Sequence, residues 1–477
     1  MVCKFNFIFV FLTLFGLINC DVLGQKKTWS LEECINHAKT HNLSIKIQQY
    51  NLDISKANYA QSKGMMLPTI SGYASHSYNY GQTIDRFTNQ FATDMVQSNN
   101  FYMSANMTLF NGFQLLHSAQ KSRYEMMASE YDLKTMENDI ALAIATAYLQ
   151  ILYSIEMVEN SRTQYDLTLK QVDRTQKLLE AGAIANSQLL NLQAQAASEA
   201  YQLTVLETQL EMAMLTLTQL LDLPNVKDFD IVVPDVEITT MPVPANADYI
   251  YDYAIKHQPS IMSAQLRVES AKKSYQIAKG AYSPSLTFGA SLGTGYSGAS
   301  SQLSGIQLSG MDTIGYTTGS PPDYVLAPVF DYLYEPISFK DQIDRNFNRS
   351  IGFNLSIPIF SGFQLSSNVK RNKISMYIAE TNLRQAELNM NKTIHQAHLD
   401  AMSALKRYFA AQKQEEAALS VYRLAEEKFE LNDLTLIEYQ DAKLKLTQSQ
   451  SELLQSKYEY IFKMKILDFY LGNEIKL

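Results

Sequence analysis

Few side chains in this sequence stand at spacings that chemistry uses. Gly293-Thr294-Gly295-Tyr296-Ser297-Gly298 matches G-x-G-x-x-G and follows a strand-like segment. A dinucleotide site, however, needs a helix opening directly behind the glycines so that backbone amides face the pyrophosphate. Here Ala299 to Gly310 is rich in Ser and Gly and reads as loop. His37 and His41 share a helix face but lack the Glu of a zincin motif, and His395 and His398 have no third ligand in view. Cys34, one turn before His37, is a lone thiol on a helix face and reads as a packing residue. No Gly-x-Ser-x-Gly and no P-loop occurs, so neither an enzyme nor a bound cofactor or metal is expected. Glu438 and Asp441 remain, three apart and therefore on one helix face. Gathered with copies of themselves, such carboxylates repel anions, attract cations and resist complete ionisation. Standing apart, they are solvated acids near a helix N-terminus, favoured by the dipole.

Composition narrows what positions these residues. The 477-residue chain carries a formal charge of −8, which argues against a nucleic-acid partner. With 19 Gly and 12 Pro it has about half the usual share of chain breakers, so long helices are favoured. Lys4 followed by the apolar run Phe5 to Ile18 marks residues 1–25 as a signal peptide, with Val22-Leu23-Gly24 as its cleavage tripeptide. The alternative is a lipoprotein cut before Cys20, which would then carry a lipid anchor; Asn19 is an unusual neighbour for that reaction. Either route leaves Cys34 as a thiol without an internal disulfide partner. No uninterrupted apolar run of 18 or more follows the leader, so no transmembrane helix is expected.

The mature chain is a tandem repeat. Ile35-Asn36-His37-Ala38-Lys39-Thr40-His41 aligns with Tyr251-Asp252-Tyr253-Ala254-Ile255-Lys256-His257 at an offset of 216, which also pairs Gly64 with Gly280 and Pro68 with Pro284. Leu109-Phe110-Asn111-Gly112-Phe113-Gln114-Leu115 aligns with Ile359-Phe360-Ser361-Gly362-Phe363-Gln364-Leu365 at an offset of 250. The difference is a 34-residue insertion between about 299 and 348. Residues 26–223 and 248–477 are thus two structural repeats, joined by a Pro-rich segment over 224–247.

Each repeat reads as a helix (31–63; 248–280, capped by Ser30 and Asp248), two strands and a long helical hairpin (113–222; 363–471). Strands are expected at about 68–81, 99–111, 284–297 and 349–361. Ile351, Phe353, Leu355, Ile357 and Ile359 alternate with polar or small residues, as do Phe101 to Leu109 and Leu286 to Leu292. Ile140, Ile144, Ala147, Ile151, Ile155 and Val158 are instead spaced by three and four, with matching positions 250 residues on. The proline-free stretches 113–181 and 363–431 suit rods of roughly 100 Å, broken at Gly182 and Asn432, with helices of about 40 residues returning along them.

Ten-residue segments with one apolar and one polar face suit an outer-membrane barrel. Four strands do not close one, and an open edge in lipid costs several kcal/mol per unsatisfied group, so two, three or four chains would have to share a barrel. In its repeat, paired strands, Phe-x-Gly turn into each long helix and breaker at each hairpin tip, the chain resembles the TolC-like outer-membrane efflux family over essentially all of its mature length. The resemblance implies a mixed α and transmembrane-β fold: a homotrimer with one shared twelve-stranded β-barrel and a periplasmic α-helical coiled-coil barrel. It implies a passive outer-membrane exit duct of a tripartite efflux or type I secretion system, driven by an inner-membrane pump of RND or ABC type through a periplasmic adaptor. Loops 81–99 and 299–348 would face outward, the second enlarged enough to plug, lid or decorate the pore. Gly182, Phe429 and Asn432 would lie at the tips, where gating and adaptor contact occur, and Glu438 and Asp441 would ring the constriction. The first-repeat counterparts of these acids, Gln188 and Asn191, are neutral, so a ring would come from the second repeat only. Two departures from the family pattern point to a different latch: Asn432 replaces the breaker glycine, and Leu434 stands where a basic residue is often found. A coiled-coil, rod-like envelope scaffold without transport activity is the alternative reading; it accounts for the helices but not for the duplicated strands.

Overall fold

A computed structural model describes residues 27–92, 95–224, 229–234, 246–431 and 433–473. The expected leader, Cys20 within it, and Asn432 lie outside the described residues. In chain order the elements are β1 (Lys27–Trp29), α1 (Leu31–His41), α2 (Leu43–Gly64), β2 (Thr69–Asn79), β3 (Thr83–Ile84), β4 (Phe91–Ala92), β5 (Val96–Phe110), α3 (Gln114–Glu180) and α4 (Asn186–Leu220). They continue with β6 (Phe229–Ile231), α5 (Ala247–His257), α6 (Pro259–Gly280), β7 (Ser285–Ser297), β8 (Ser301–Tyr316), β9 (Tyr324–Pro336), α7 (Phe339–Arg345), β10 (Asn348–Ser356), α8 (Gln364–Glu430) and α9 (Leu436–Tyr470). Two compact units contain them: residues 1–52, 129–263 and 384–477, and residues 53–128 and 264–383.

Each opening helix is two helices rather than one. The chain turns at Asn42 (ψ 129°) and at Gln258 (ψ 126°), positions related by the 216 offset. Gln258 precedes Pro259, whose ring pushes it out of the helical region. Asn42 accepts from the Ser44 amide at 2.9 Å and so caps α2. Both amides also tie back to a returning helix: Asn42 donates to the Leu220 carbonyl (3.0 Å) and Gln258 to the Phe469 carbonyl (3.5 Å). Ser30 caps α1 through a capping box with Glu33, whereas α5 is capped by Asn246, to which Asp248 donates its amide.

The first unit has two cores that repeat each other. Cys34, Ala38, Ile144, Ala147, Ile151 and Leu217 are buried in one, and their counterparts Ile250, Ala254, Ile394, Ala397, Ala401 and Leu467 in the other. The helical periodicity of 140–158 therefore marks true core positions. It also gives α3 an 18-residue window apolar enough, by length and composition, to cross a membrane, but Ile144, Tyr148, Ile151 and Leu152 are packed inside this core. The Pro-rich joint contributes an unexpected element: β6 pairs in parallel with β1, and the Tyr148 hydroxyl donates to the Val232 carbonyl (2.5 Å) just after β6, with the Trp29 carbonyl of β1 at 3.2 Å. The duplicated histidine positions hold stacked rings 4.2 Å apart, His37 on His41 and Tyr253 on His257.

In the second unit β10, β7, β5 and β2 form an antiparallel sheet in that order. One face carries apolar rows, Ile70–Ala105–Ala290–Ile351 and Met107–Phe288–Phe353, with Arg349 and His76 toward one end. The other carries Ser71–Ser104–Ser291–Ser350 and Thr108–Thr287–Asn354, hydroxyls and amides without a charge. Its apolar residues are open to the surroundings, Ile351 at 74% and Ile70 at 65% exposure. The last strand stops at Ser356 instead of continuing to 361, because Pro358 has no N–H for a ladder. At the Phe-x-Gly turn Gly112 has φ +64°, and a Cβ there would come within 2.3 Å of the Gly280 carbonyl oxygen, so only glycine fits.

The 299–348 segment is not an irregular loop. It is a long hairpin, β8 with β9, followed by the short helix α7. Register shifts occur at 303/305, 308/310 and 313/315, each ending on a glycine. These bulges follow a five-residue sequence repeat, Leu303-Ser304-Gly305-Ile306-Gln307, Leu308-Ser309-Gly310-Met311-Asp312, Thr313-Ile314-Gly315-Tyr316-Thr317. Each bulge resets the pleat, so Leu303, Ile306, Leu308, Met311 and Tyr316 stay on one face with Tyr334, Tyr332, Phe330, Pro328 and Tyr324 opposite them. The reverse face carries Gly305, Gly310, Gly315, Gln302, Gln307 and Asp312 on β8, opposite Leu333, Val329, Val325, Glu335, Asp331 and Ala327 on β9. Among the described residues, the 81–99 connection holds the small β3–β4 ribbon. There Asp85 accepts from Ser297, Thr88 and Phe87; burial pushes its carboxyl up, but these hydrogen bonds outweigh it and hold it below the usual carboxylate range.

Candidate functional site at the helical hairpin tips

The two hairpins share a closing backbone hydrogen bond. At the first tip the Ala183 amide donates to the Leu178 carbonyl and the Gly182 amide to the Leu179 carbonyl, both 2.9 Å, with Gly182 at φ +74°. This is the paired closure a left-handed glycine permits. At the second tip the Asp433 amide donates to the Lys428 carbonyl at 2.8 Å, the matching bond 250 residues on. The return helices α4 and α9 are 35 residues each, shorter than the expected 40.

The second return helix starts on a capping box. The Thr435 hydroxyl accepts from the Glu438 amide (3.3 Å), and the Glu438 carboxylate accepts from the Thr435 amide (3.0 Å) and hydroxyl (2.7 Å). Hydrogen bonds from the Thr435 side chain, then its backbone, hold Glu438 below the usual carboxylate range. One turn on, Asp441 pairs with Lys445 at 2.7 Å. Glu438, Asp441 and Lys445 are all exposed on one side of α9. The acidic face thus includes a lysine that the sequence reading left out.

The opposite side of α9 is buried and holds unexpected polar anchors. Tyr439, 1% exposed, stacks on Phe429 with centroids 4.8 Å apart and meets the Tyr422 hydroxyl at 3.0 Å. Gln171 of α3 donates to the Tyr439 hydroxyl. Burial raises both phenols above their ordinary range. A turn further, Lys443 donates to Thr168 of α3 and pairs with Glu199 of α4 at 3.2 Å. Burial lowers its ammonium below the ordinary lysine range, against the pull of Glu199. Glu199 Oε1 also accepts from Gln195 at 2.9 Å, while its buried Oε2 has no hydrogen bond among the described residues. An exposed pair, Arg174 of α3 with Glu430 of α8 at 3.3 Å, lies nearer the tips.

Phe429, Glu438 and Asp441 therefore share the α8–α9 tip, and Gly182 belongs to the α3–α4 tip. The sequence reading missed Tyr422, Tyr439, Lys443 and Glu199. One signal was available: Tyr439, Ala442, Lys443, Leu446 and Ser449 form a buried stripe at helical spacing, and a lysine inside such a stripe calls for a buried partner. The repeat sharpens it, since the first-repeat counterparts of Tyr422, Tyr439 and Lys443 are Val172, Leu189 and Gln193. Among the described residues no three His, Cys, Asp or Glu side chains are placed to hold a metal ion.

Known proteins match this architecture along its length. A family model described as outer membrane efflux protein matches residues 34–222 and 250–473. The chain is similar to the outer membrane protein TolC of Escherichia coli strain K12, with 21% identity over 471 residues, 96% of this chain and 85% of that protein. Its fold is similar to the CmeC outer membrane channel of Campylobacter jejuni, with TM-score 0.75 and 16% identity over 94% of this chain and 86% of that one. It is also similar to the outer membrane protein VceC of Vibrio cholerae, with TM-score 0.72 and 14% identity over 93% and 96% of the two chains.

Proposed function

The chain belongs to the outer membrane efflux protein family, and from that premise we propose that its passage opens at the periplasmic end when α8 and α9 detach from α3 and α4. Members of the family are homotrimeric outer-membrane channels that work with periplasmic adaptors and inner-membrane pumps. This chain is the exit duct of such a system, with four strands from each of three copies in one barrel. Paired on one side only among the described residues, β2 and β10 are the edges that neighbouring copies satisfy. The apolar rows then meet lipid and the hydroxyl rows line the lumen.

The observation that carries the gate is the asymmetry between repeats. Polar anchors reach α3 and α4 from the second hairpin, through Tyr439 and Lys443, whereas the equivalent first-repeat positions are Leu189 and an exposed, uncharged Gln193. Releasing them frees the helix that bears Glu438 and Asp441. Three copies would place six carboxylates and three Lys445 ammonium groups around the entrance, a net acidic ring. Because the named barrel rows carry no charge, charge selection is assigned to this ring. The chain supplies a path and a gate; it is assigned no catalytic role. Conductance across a planar bilayer tests the assignment. Glu438→Gln/Asp441→Asn should weaken the cation preference of wild-type pores, and unchanged ion preference would sink the ring.

A further inference from the structure

The β8–β9 hairpin presents a surface that the duct itself does not use. Leu308, Met311, Tyr316, Tyr324, Phe330 and Tyr334 are all between 46% and 67% exposed and share one face. With the other large side chains of that face, and aromatic areas of about 150–250 Å² each, the patch is on the order of 1,000 Å². That exceeds the roughly 300–600 Å² of the largest patch on a typical monomer and matches the ~800 Å² each partner buries in a stable interface. The reverse face is mixed: its β8 half is glycine, Gln and Asp, and its β9 half sets Leu333, Val329 and Val325 beside Glu335 and Asp331, so it holds no aromatic side chain and fewer large apolar ones.

The root of the hairpin indicates what covers the patch. It leaves the sheet between β7 and β10, and β10 is the edge where a neighbouring copy joins. Gln342 of α7 fixes this root, accepting from the Ser297 amide (2.9 Å) and donating to the carbonyls of Ser297 (2.9 Å) and Ile337 (3.0 Å). The hairpin is therefore rooted directly beside the edge at which copies meet. We propose that its apolar face packs against the neighbouring copies of this chain, clasping the trimer beyond the barrel. This rests on the trimeric duct, so the trimer is established first.

The test places single cysteines in the full mature chain with Cys34→Ala: Leu308→Cys and Phe330→Cys on the apolar face, Gln307→Cys and Asp312→Cys on the reverse face. Each is purified, its trimeric mass is confirmed, and it is labelled with a bulky polar maleimide before and after dissociation. In the intact trimer the apolar-face thiols should react at least about tenfold more slowly, as in a close-packed interface, and the difference should vanish in monomers. Equal reactivity of both faces in a confirmed trimer overturns the clasp and leaves the duct standing. Protection that persists in detergent-bound monomers assigns the face to lipid or detergent and also overturns it. Absence of a trimer in the parent Cys34→Ala chain counts against the duct instead. As a second measurement, Phe330→Asp should lower the temperature at which wild-type trimers dissociate in detergent; an unchanged temperature in a folded trimer contradicts the proposal.

Discussion

Replacing Lys443 by Met separates the proposed latch from ordinary packing. In the arrangement described, Lys443 and Glu199 are both nearly inaccessible, with side chains 9% and 11% exposed, and Glu199 Oε2 already lacks a hydrogen-bond partner. An intact buried pair is close to break-even against its solvated ions, but removing one partner strands the other at a cost of about 3–5 kcal/mol. Methionine keeps the stem volume and leaves Glu199 stranded while α9 is docked. Undocking returns Glu199 to water, so the penalty falls on the closed arrangement. At 1.4 kcal/mol per tenfold change, the equilibrium should shift toward open by about a hundredfold or more. The assay is single-channel recording of the reconstituted trimer, with circular dichroism and mass to show folding. Lys443→Met should raise open probability, and Lys443→Met/Glu199→Leu, which removes both charges, should return it toward wild type. A folded Lys443→Met trimer that opens no more often would refute the latch, as would a double variant as open as the single one.

Other outcomes follow from single residues. Glu438 sits below its ordinary 4.5 because it accepts hydrogen bonds in the capping box; the stabilisation is present above 4.5 and lost as pH falls through the depressed value. Amide exchange over residues 436–439 should therefore rise on acidification relative to the helix centre, and Glu438→Gln, which keeps the box, should remove that dependence. Burial pushes the Cys34 thiol up to about 12 from 9.0, so maleimide should modify it only after denaturation. Stability should begin to fall above pH 9, where the unfolded chain loses the Cys34 proton and the folded chain keeps it. Gly112→Ala places a Cβ 2.3 Å from the Gly280 oxygen at φ +64°, whereas Gly362→Ala at φ +56° meets no atom within 4 Å. The second should cost only backbone strain, about 1–3 kcal/mol, and the first should lower the thermal midpoint clearly further.

The elements that the sequence made legible share one property: a period uninterrupted over many residues. The 140–158 stripe, the Ile351–Leu355 alternation and the Gly112 and Gly362 turns are local patterns with one physical solution. The repeat doubled each signal, down to the cores around Cys34 and Ile250. What escaped was either interrupted or long-range. In β8 the bulges convert the spacing of two into alternating threes and twos, so a strand face reads as loop. The Asn42 side chain both caps α2 and donates to Leu220, 178 residues away, and only the first of these is local. Lys443 and Glu199 are 244 residues apart, and only folding brings α9 against α4. That Glu438 and Asp441 share a helix face was legible because three-residue spacing is local, but the Lys445 that halves the charge of that face was passed over.

The central claim is that three copies of this chain complete one membrane channel. Its most direct measurement is the oligomeric mass of the purified mature chain together with its conductance after insertion into a planar bilayer. The purified chain should be a trimer that inserts and gives discrete current steps. A folded chain that stays soluble as a monomeric rod, and passes no current in the open-biased Lys443→Met form either, would contradict it.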